Sequence, residues 1–211
     1  GAFGGLSELV TGTFTAPLRS SLQVCVDVTD TGTNVSTPAC ATLTISGAAS
    51  VAAGTALSCI VLADTTVRCM GAGDQGQLGT GLTGDSTLPV AVRTAADAPL
   101  SGITAVVTGA THACALKSDK TVWCWGDGTS GKQGDGATTD RLFAHAVPGL
   151  TGVTALAAGS EHTCARLSTK TVKCWGKNSN GQLGDGTITA RKSPVAVKNL
   201  TGVVAIAAGG A

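Results

Sequence analysis

The sequence predicts an all-β protein: a partial β-propeller of about three four-stranded blades, preceded by a β-hairpin. One phrase recurs along the chain. His112-Ala-Cys-Ala-Leu116 with Thr121-Val-Trp-Cys-Trp-Gly126 returns as His162-Thr-Cys-Ala-Arg166 with Thr171-Val-Lys-Cys-Trp-Gly176. Gly54, Gly109, Gly159 and Gly209 each close an apolar run of small residues, at steps of 55, 50 and 50. Val, Ile, Thr and Cys alternate with small residues over short runs that Gly, Asp, Asn and Ser interrupt, which is strand rather than helix patterning. A period of about 50 residues with four strands per copy matches a propeller blade.

Residues 1–17 are Gly/Thr-rich and read as a strand or a linker. Segments 21–28 and 35–45 alternate as half-buried strands, and setting Cys25 opposite Cys40 puts Gly32-Thr33 at a two-residue turn. Pro38 lacks a ladder donor and suggests an edge. An isolated hairpin is marginal in water, so this one should pack on other strands. It resembles the last hairpin of an immunoglobulin-like surface domain, and residues 1–48 are read as the C-terminal part of such a domain or as a linker hairpin.

Each copy then offers four strands, in copy two the Val-Val-Thr run before Gly109, then 114–117, 121–125 and 144–147. Copy one has five extra residues between Val92 and Gly102, the mark of a surface insertion. The strand that ends in the anchoring glycine is expected to complete the sheet of its neighbour. Three blades fall short of the four to eight in a closed ring, and both ends read as cuts through a longer polypeptide. The expected partners are therefore other proteins, or further copies of the chain through open blade edges.

The stretch Cys174 to Thr187, Cys-Trp-Gly-Lys-Asn-Ser-Asn-Gly-Gln-Leu-Gly-Asp-Gly-Thr, resembles the repeat of regulator-of-chromosome-condensation-type β-propellers, of the disulfide-bearing extracellular bacterial kind. The resemblance covers residues 49–211, divided into 49–103, 104–153, 154–203 and the start of a fourth copy at 204–211. Copy one has Met70 in the column of Trp125 and Trp175, and Thr80 in that of Asp135 and Asp185; copy two reads Gly131-Lys-Gln-Gly134. The resemblance implies a propeller. It implies no single activity, because such propellers include nucleotide-exchange factors, enzyme inhibitors and extracellular proteins.

The eight cysteines sort into four pairs. Cys59 and Cys69, Cys114 and Cys124, and Cys164 and Cys174 are each ten residues apart. If Cys114 faces Cys124 across a hairpin, Ser118-Asp119-Lys120 forms its turn and the two Cβ atoms come within disulfide reach. Each such bridge is worth about 2–3 kcal/mol in the chain-entropy model. With Cys25–Cys40, the expectation is four disulfides and an oxidising compartment, extracellular or on a cell surface. Net charge is +1 with 13 % charged residues, so no electrostatic case exists for nucleic acid, and no apolar stretch is long enough to span a bilayer.

No catalytic residue, cofactor or metal is expected. Gly126 to Gln133 approaches a phosphate-binding loop, but Gln133 stands where a magnesium-binding hydroxyl belongs and no helix follows. His112 and His162 share a column that Leu57 occupies in copy one, and a hydrogen bond to a neighbouring backbone carbonyl is the expected role. Asp135 and Asp185 sit in Gly-Asp-Gly turns that bond local amides. Trp125 and Trp175 read as packing residues. Trp123, on the same strand face as Trp125, is a candidate contact residue. Asn34 and Asn199 begin glycosylation sequons. The reading of function is a non-enzymatic extracellular structural or adhesive protein, or filament subunit; the alternative is a soluble protein-binding propeller, an inhibitor or receptor-like module.

Overall fold

The computed structural model describes residues 50–210 and the backbone pairing of strands 20–26 and 39–45. The chain divides into two units, residues 1–47 and 48–211. In the first, β1 (Ser20–Val26) and β2 (Ala39–Ile45) pair antiparallel, with Cys25 opposite Cys40. The turn at Gly32-Thr33, Asn34, Pro38 and the side chains of the two cysteines lie outside the described residues.

The second unit holds three four-stranded antiparallel sheets, the blades of a partial β-propeller. The first is β3 (Ser50–Ala53), β4 (Leu57–Val61), β5 (Val67–Gly71) and β6 (Ser86–Ala91). The second is β7 (Ile103–Thr108), β8 (His112–Lys117), β9 (Val122–Gly126) and β10 (Arg141–Ala146). The third is β11 (Val153–Ala158), β12 (His162–Leu167), β13 (Val172–Gly176) and β14 (Arg191–Ala196). Short connections make sequential strands pair, and each sheet runs in strict chain order. This corrects one expectation: the strand before the anchoring glycine opens its own sheet and does not complete its neighbour's. Residues 204–210, expected to begin a fourth copy, carry no strand.

The fourth strand also starts earlier than expected. Arg141 pairs with Gly126, and a register shift then brings His145 opposite Cys124. That irregularity hides the strand in the sequence, because it breaks the alternation. Outer strands β6 and β14 carry Pro89 and Pro194, which lack a donor and so blunt the sheet edge.

The cysteine hairpins are set by their turns. Thr65, Lys120 and Lys170 adopt positive φ of 66°, 68° and 60°. The Asp119 carboxylate accepts from the Thr121 amide at 3.0 Å and hydroxyl at 2.6 Å, and Asp64 holds Thr66 in the same way. Cys59–Cys69, Cys114–Cys124 and Cys164–Cys174 then lie directly opposed and are bridged, with Cα atoms 4.1 Å apart.

Each blade has two unlike faces. The Cys59–Cys69 bridge shares a core with Trp125 of the next blade, and Cys114–Cys124 shares one with Trp175. Cys59, Cys69 and Cys114 are fully buried, whereas Cys164 is only partly covered. Limiting reductant should therefore open Cys164–Cys174 well before Cys59–Cys69 and Cys114–Cys124, since thiolate attack needs access. Differential alkylation under native conditions reads the order, and equal opening of Cys59–Cys69 would refute it.

Candidate functional site at the blade boundaries

Blades meet through a lock made of a loop glycine and an indole. Trp125 Nε1 donates to the Gln77 carbonyl at 2.9 Å, and Trp175 Nε1 donates to the Lys132 carbonyl at 2.9 Å. Gly79 and Gly134 lie flat on these rings: a Cβ would stand 2.9 Å from Trp125 Cδ1 and 2.8 Å from Trp175 Nε1. Burying an indole with its N–H satisfied combines a large apolar area with a directional contact.

The two boundaries are otherwise built from different chemistry. Between the first and second blades, Leu57, Leu78, Leu100, Ile103 and Ala113 pack with Trp125. Between the second and third, Leu150 and Val153 still pack with Trp175, but the columns of Leu57, Leu78 and Ala113 turn polar. His112 Nε2 and Thr163 Oγ1 are 2.8 Å apart, both fully buried, in the columns held by Leu57 and Ala113 one boundary earlier. Lys132 and Gln133 stand in the columns of Gln77 and Leu78. The Lys132 ammonium, 3 % exposed, lies 2.5 Å from Asp127 Oδ2 and 3.9 Å from Glu161 Oε1 across the boundary. Glu161 also pairs with Lys177, Thr111 donates to Asp127 at 2.9 Å, and Gln133 donates to the Asp127 carbonyl.

These contacts set the protonation states. Burial, with the Lys132 charge nearby, pushes the His112 imidazole down to about 3, and burial lowers His162 too, so both rings are neutral at pH 7. Burial pushes Asp127 up, but hydrogen bonds from Lys132, Thr129 and Thr111 outweigh it and hold the carboxyl at about 2.

The long loops between third and fourth strands are braced separately. Arg141 Nε donates to Asp135 at 2.7 Å and Arg191 Nε to Asp185 at 2.6 Å. The same carboxylates accept from the Ala137 and Thr187 amides. Copy one replaces both partners together, with Thr80 and Ser86. Buried Asn178 ties the third loop by donating to the Thr187 and Thr189 carbonyls. Copies one and two have Gly73 and Gly128 in its column, and Asp85 and Asp140 reach those glycine amides instead.

Sequence reasoning placed the histidines and aspartates in structural roles and expected the local amides on Asp135 and Asp185, but missed Arg141, Arg191 and the partner of His112. The His112 partner is a hydroxyl of the next blade, not a backbone carbonyl. The Gly126–Gln133 stretch is the second blade's long loop, with Lys132 turned inward. Trp123 is half-buried against the first core, with Lys117 Nζ 5.4 Å from its ring centroid. Asn199 is exposed in a turn at φ 54°. Two shallow axial depressions of about 310 Å³ each are lined largely by Gly, Ala, Val, Thr and Ser, including Gly54, Thr108, Gly109 and Ser160. Among the described residues no group of three or more His, Cys, Asp or Glu side chains is placed to hold a metal, and no helix is long and apolar enough to cross a membrane. The arrangement offers a shaped, rigid surface, with its ionic side chains at the blade boundaries and loop braces spent on one another.

Two sequence profiles, each described as the regulator of chromosome condensation (RCC1) repeat, match the chain. One covers residues 103–132 and 153–182, the other residues 66–116 and 172–211. No curated protein matches the sequence. Similar solved structures include Prp20p from Saccharomyces cerevisiae, described with its binding to Gsp1p and histones, at 19 % identity and a TM-score of 0.66 over 76 % of this chain and 41 % of that one. Yeast RCC1 (Prp20) bound to Kap60 matches at 20 % identity and a TM-score of 0.65, over 82 % of this chain and 42 % of that one. Human WBSCR16 matches at 20 % identity and a TM-score of 0.49, over 75 % and 55 %. The chain thus spans about two fifths of the yeast structures, and at these identities the likeness establishes the fold.

Proposed function

Because the chain belongs to the regulator of chromosome condensation (RCC1) repeat family, we propose that it is the non-enzymatic, protein-binding part of an extracellular or cell-surface propeller, with partners docking on the long-loop end of the blades. Strands alternate in direction, so the first-to-second and third-to-fourth connections of every blade emerge at that one end. The observation that carries the reading is the pair of apolar tips there, Leu82 and Ile188, each 72 % exposed. The Ile188 loop is locked by the Asp185–Arg191 and Asn178 contacts. An exposed apolar side chain on a pre-ordered loop loses little entropy on binding. The yeast neighbours' partners are proteins, which favours the same class here. The three disulfides among the described residues favour an oxidising compartment.

An adhesive or filament role draws less support. Its route was an open blade edge, yet each of the three described blades already holds four strands, and two of their three outer strands contain proline. Cross-linking of the native protein at its site of action tests the proposal. Cross-links should fall on loops 72–85, 127–140 and 177–190, and Leu82→Ser with Ile188→Ser should weaken the complex about tenfold with unchanged melting temperature. Cross-links confined to the opposite turns at 118–120 and 168–170, or binding indifferent to both substitutions, would overturn it.

A further inference from the structure

We propose that the boundary between the second and third blades is an acid-sensitive hinge, which parts before the boundary between the first and second as the pH falls below neutrality. The two boundaries are equivalent by repeat, so their differences are direct. The first is closed by apolar packing, and Phe143 covers Gly81, where a Cβ would meet the ring at 2.2 Å. At the second, Ser193 replaces Phe143 and its hydroxyl stands 3.7 Å from the equivalent point at Gly136. The backbone bonds differ in place: Ala144 N–H to the Arg93 carbonyl at 2.9 Å closes the first and is forbidden by Pro194 at the second, which has Ala110 N–H to the Ser160 carbonyl at 3.0 Å instead.

Acid acts on the polar boundary alone. His112 is packed against Thr163 and His162 of β12 and faces Lys132 and Asp127 of its own blade's loop. A proton on the imidazole adds a second buried cation beside Lys132, and the neighbouring anion, Asp127, is already committed to that lysine. Thr163 can accept from the imidazolium, but the second anion of the network, Glu161, is already shared by Lys132 and Lys177, so the new charge is left without an anion of its own. Opening the boundary hydrates the ring and relieves this. Asp127, held near 2, stays ionised at about pH 5, so the mild-acid response belongs to the buried imidazoles, His112 and, less deeply, His162. The first boundary, with Leu57 on Ala113, has nothing to protonate in that position.

Hydrogen exchange on the intact chain reads both boundaries at once. Ala110 N–H to Ser160 O and Gly136 N–H to Lys192 O cross the second boundary; Gly81 N–H to Leu142 O and Ala144 N–H to Arg93 O cross the first. Between about pH 7.5 and about pH 5, opening constants corrected for intrinsic exchange should rise about tenfold or more at Ala110 and Gly136, and less than about twofold at Gly81 and Ala144. Four amides that rise together, or none that rises, would overturn the hinge. His112→Leu with Thr163→Ala, which copies the first boundary, should remove most of the response, leaving only what His162 supplies; a folded double variant that keeps the response in full would also overturn the proposal. The wild-type comparison decides the matter even if that variant does not fold.

Discussion

Gly109→Ala should destabilise the protein by about 3 kcal/mol or more, against about 1–2 kcal/mol for Gly149→Ala. The four anchoring glycines line the axis, where innermost strands approach most closely. A Cβ on Gly54 would lie 2.1 Å from the Gly109 carbonyl oxygen, one on Gly109 2.7 Å from that of Gly159, and one on Gly159 2.5 Å from that of Gly209. On Gly109 it would also meet the His112 ring at 2.3 Å. That ring is held by the Thr163 hydroxyl, so it cannot rotate away without orphaning a buried group. Backbone and pinned ring together leave the methyl no direction in which neighbours yield, and a close-packed interior transmits the strain. Gly149 is the control: it has positive φ at 67° but nothing within 4 Å of its Cβ position, so alanine there meets only backbone strain. Urea denaturation of both variants tests the difference. Equal losses would mean that the glycine column is conformational rather than steric.

The same glycines made the blades legible in the sequence. Their period, the ten-residue cysteine spacing and the Trp-Gly phrases are local patterns that repeat unchanged, and each maps onto one hairpin or one lock. What the sequence did not yield is which strand belongs to which sheet. A periodic string can be cut at any point, so the strand before Gly109 fits either neighbour until backbone pairing is seen. The partners of the candidate residues were hidden for another reason. His112 and Thr163 are 51 residues apart, and their relation emerges only when each copy is compared with the next at an offset of one blade. Leu57 with Ala113 then reads as the apolar form of the same pair. Asp135–Arg141 and Asp185–Arg191 did leave a signal, a six-residue spacing that copy one replaces as a unit with Thr80 and Ser86. The Lys132 network left none, since no other copy carries it.

Asp127→Ala should cost about 3–5 kcal/mol, because it strands a buried ammonium. Lys132 would keep only Glu161 at 3.9 Å, an anion already shared with Lys177, and the Thr111 hydroxyl at 3.3 Å. The first blade fills these two columns with Ala72 and Gln77, without charge. Asp127→Ala with Lys132→Gln should therefore recover most of the loss, as replacing both members of a buried pair is far milder than removing one. The pH dependence separates this pair from His112. Asp127 titrates at about 2 when folded against an ordinary 3.8, so its contribution is complete above 3.8 and is lost as the pH falls towards 2. A shift of that size is worth about 2 kcal/mol, and this segment of the acid profile should vanish in the double variant. The histidine runs in the other window. Its folded value of about 3 lies below the ordinary 6.5, so the unfolded chain takes up the extra proton and stability falls as the pH drops from 6.5 towards 3, in the double variant as in the wild type. Denaturation across the pH range resolves the two segments. A double variant no more stable than Asp127→Ala alone would mean that the cost lies in lost packing around the carboxylate and not in an unpaired lysine.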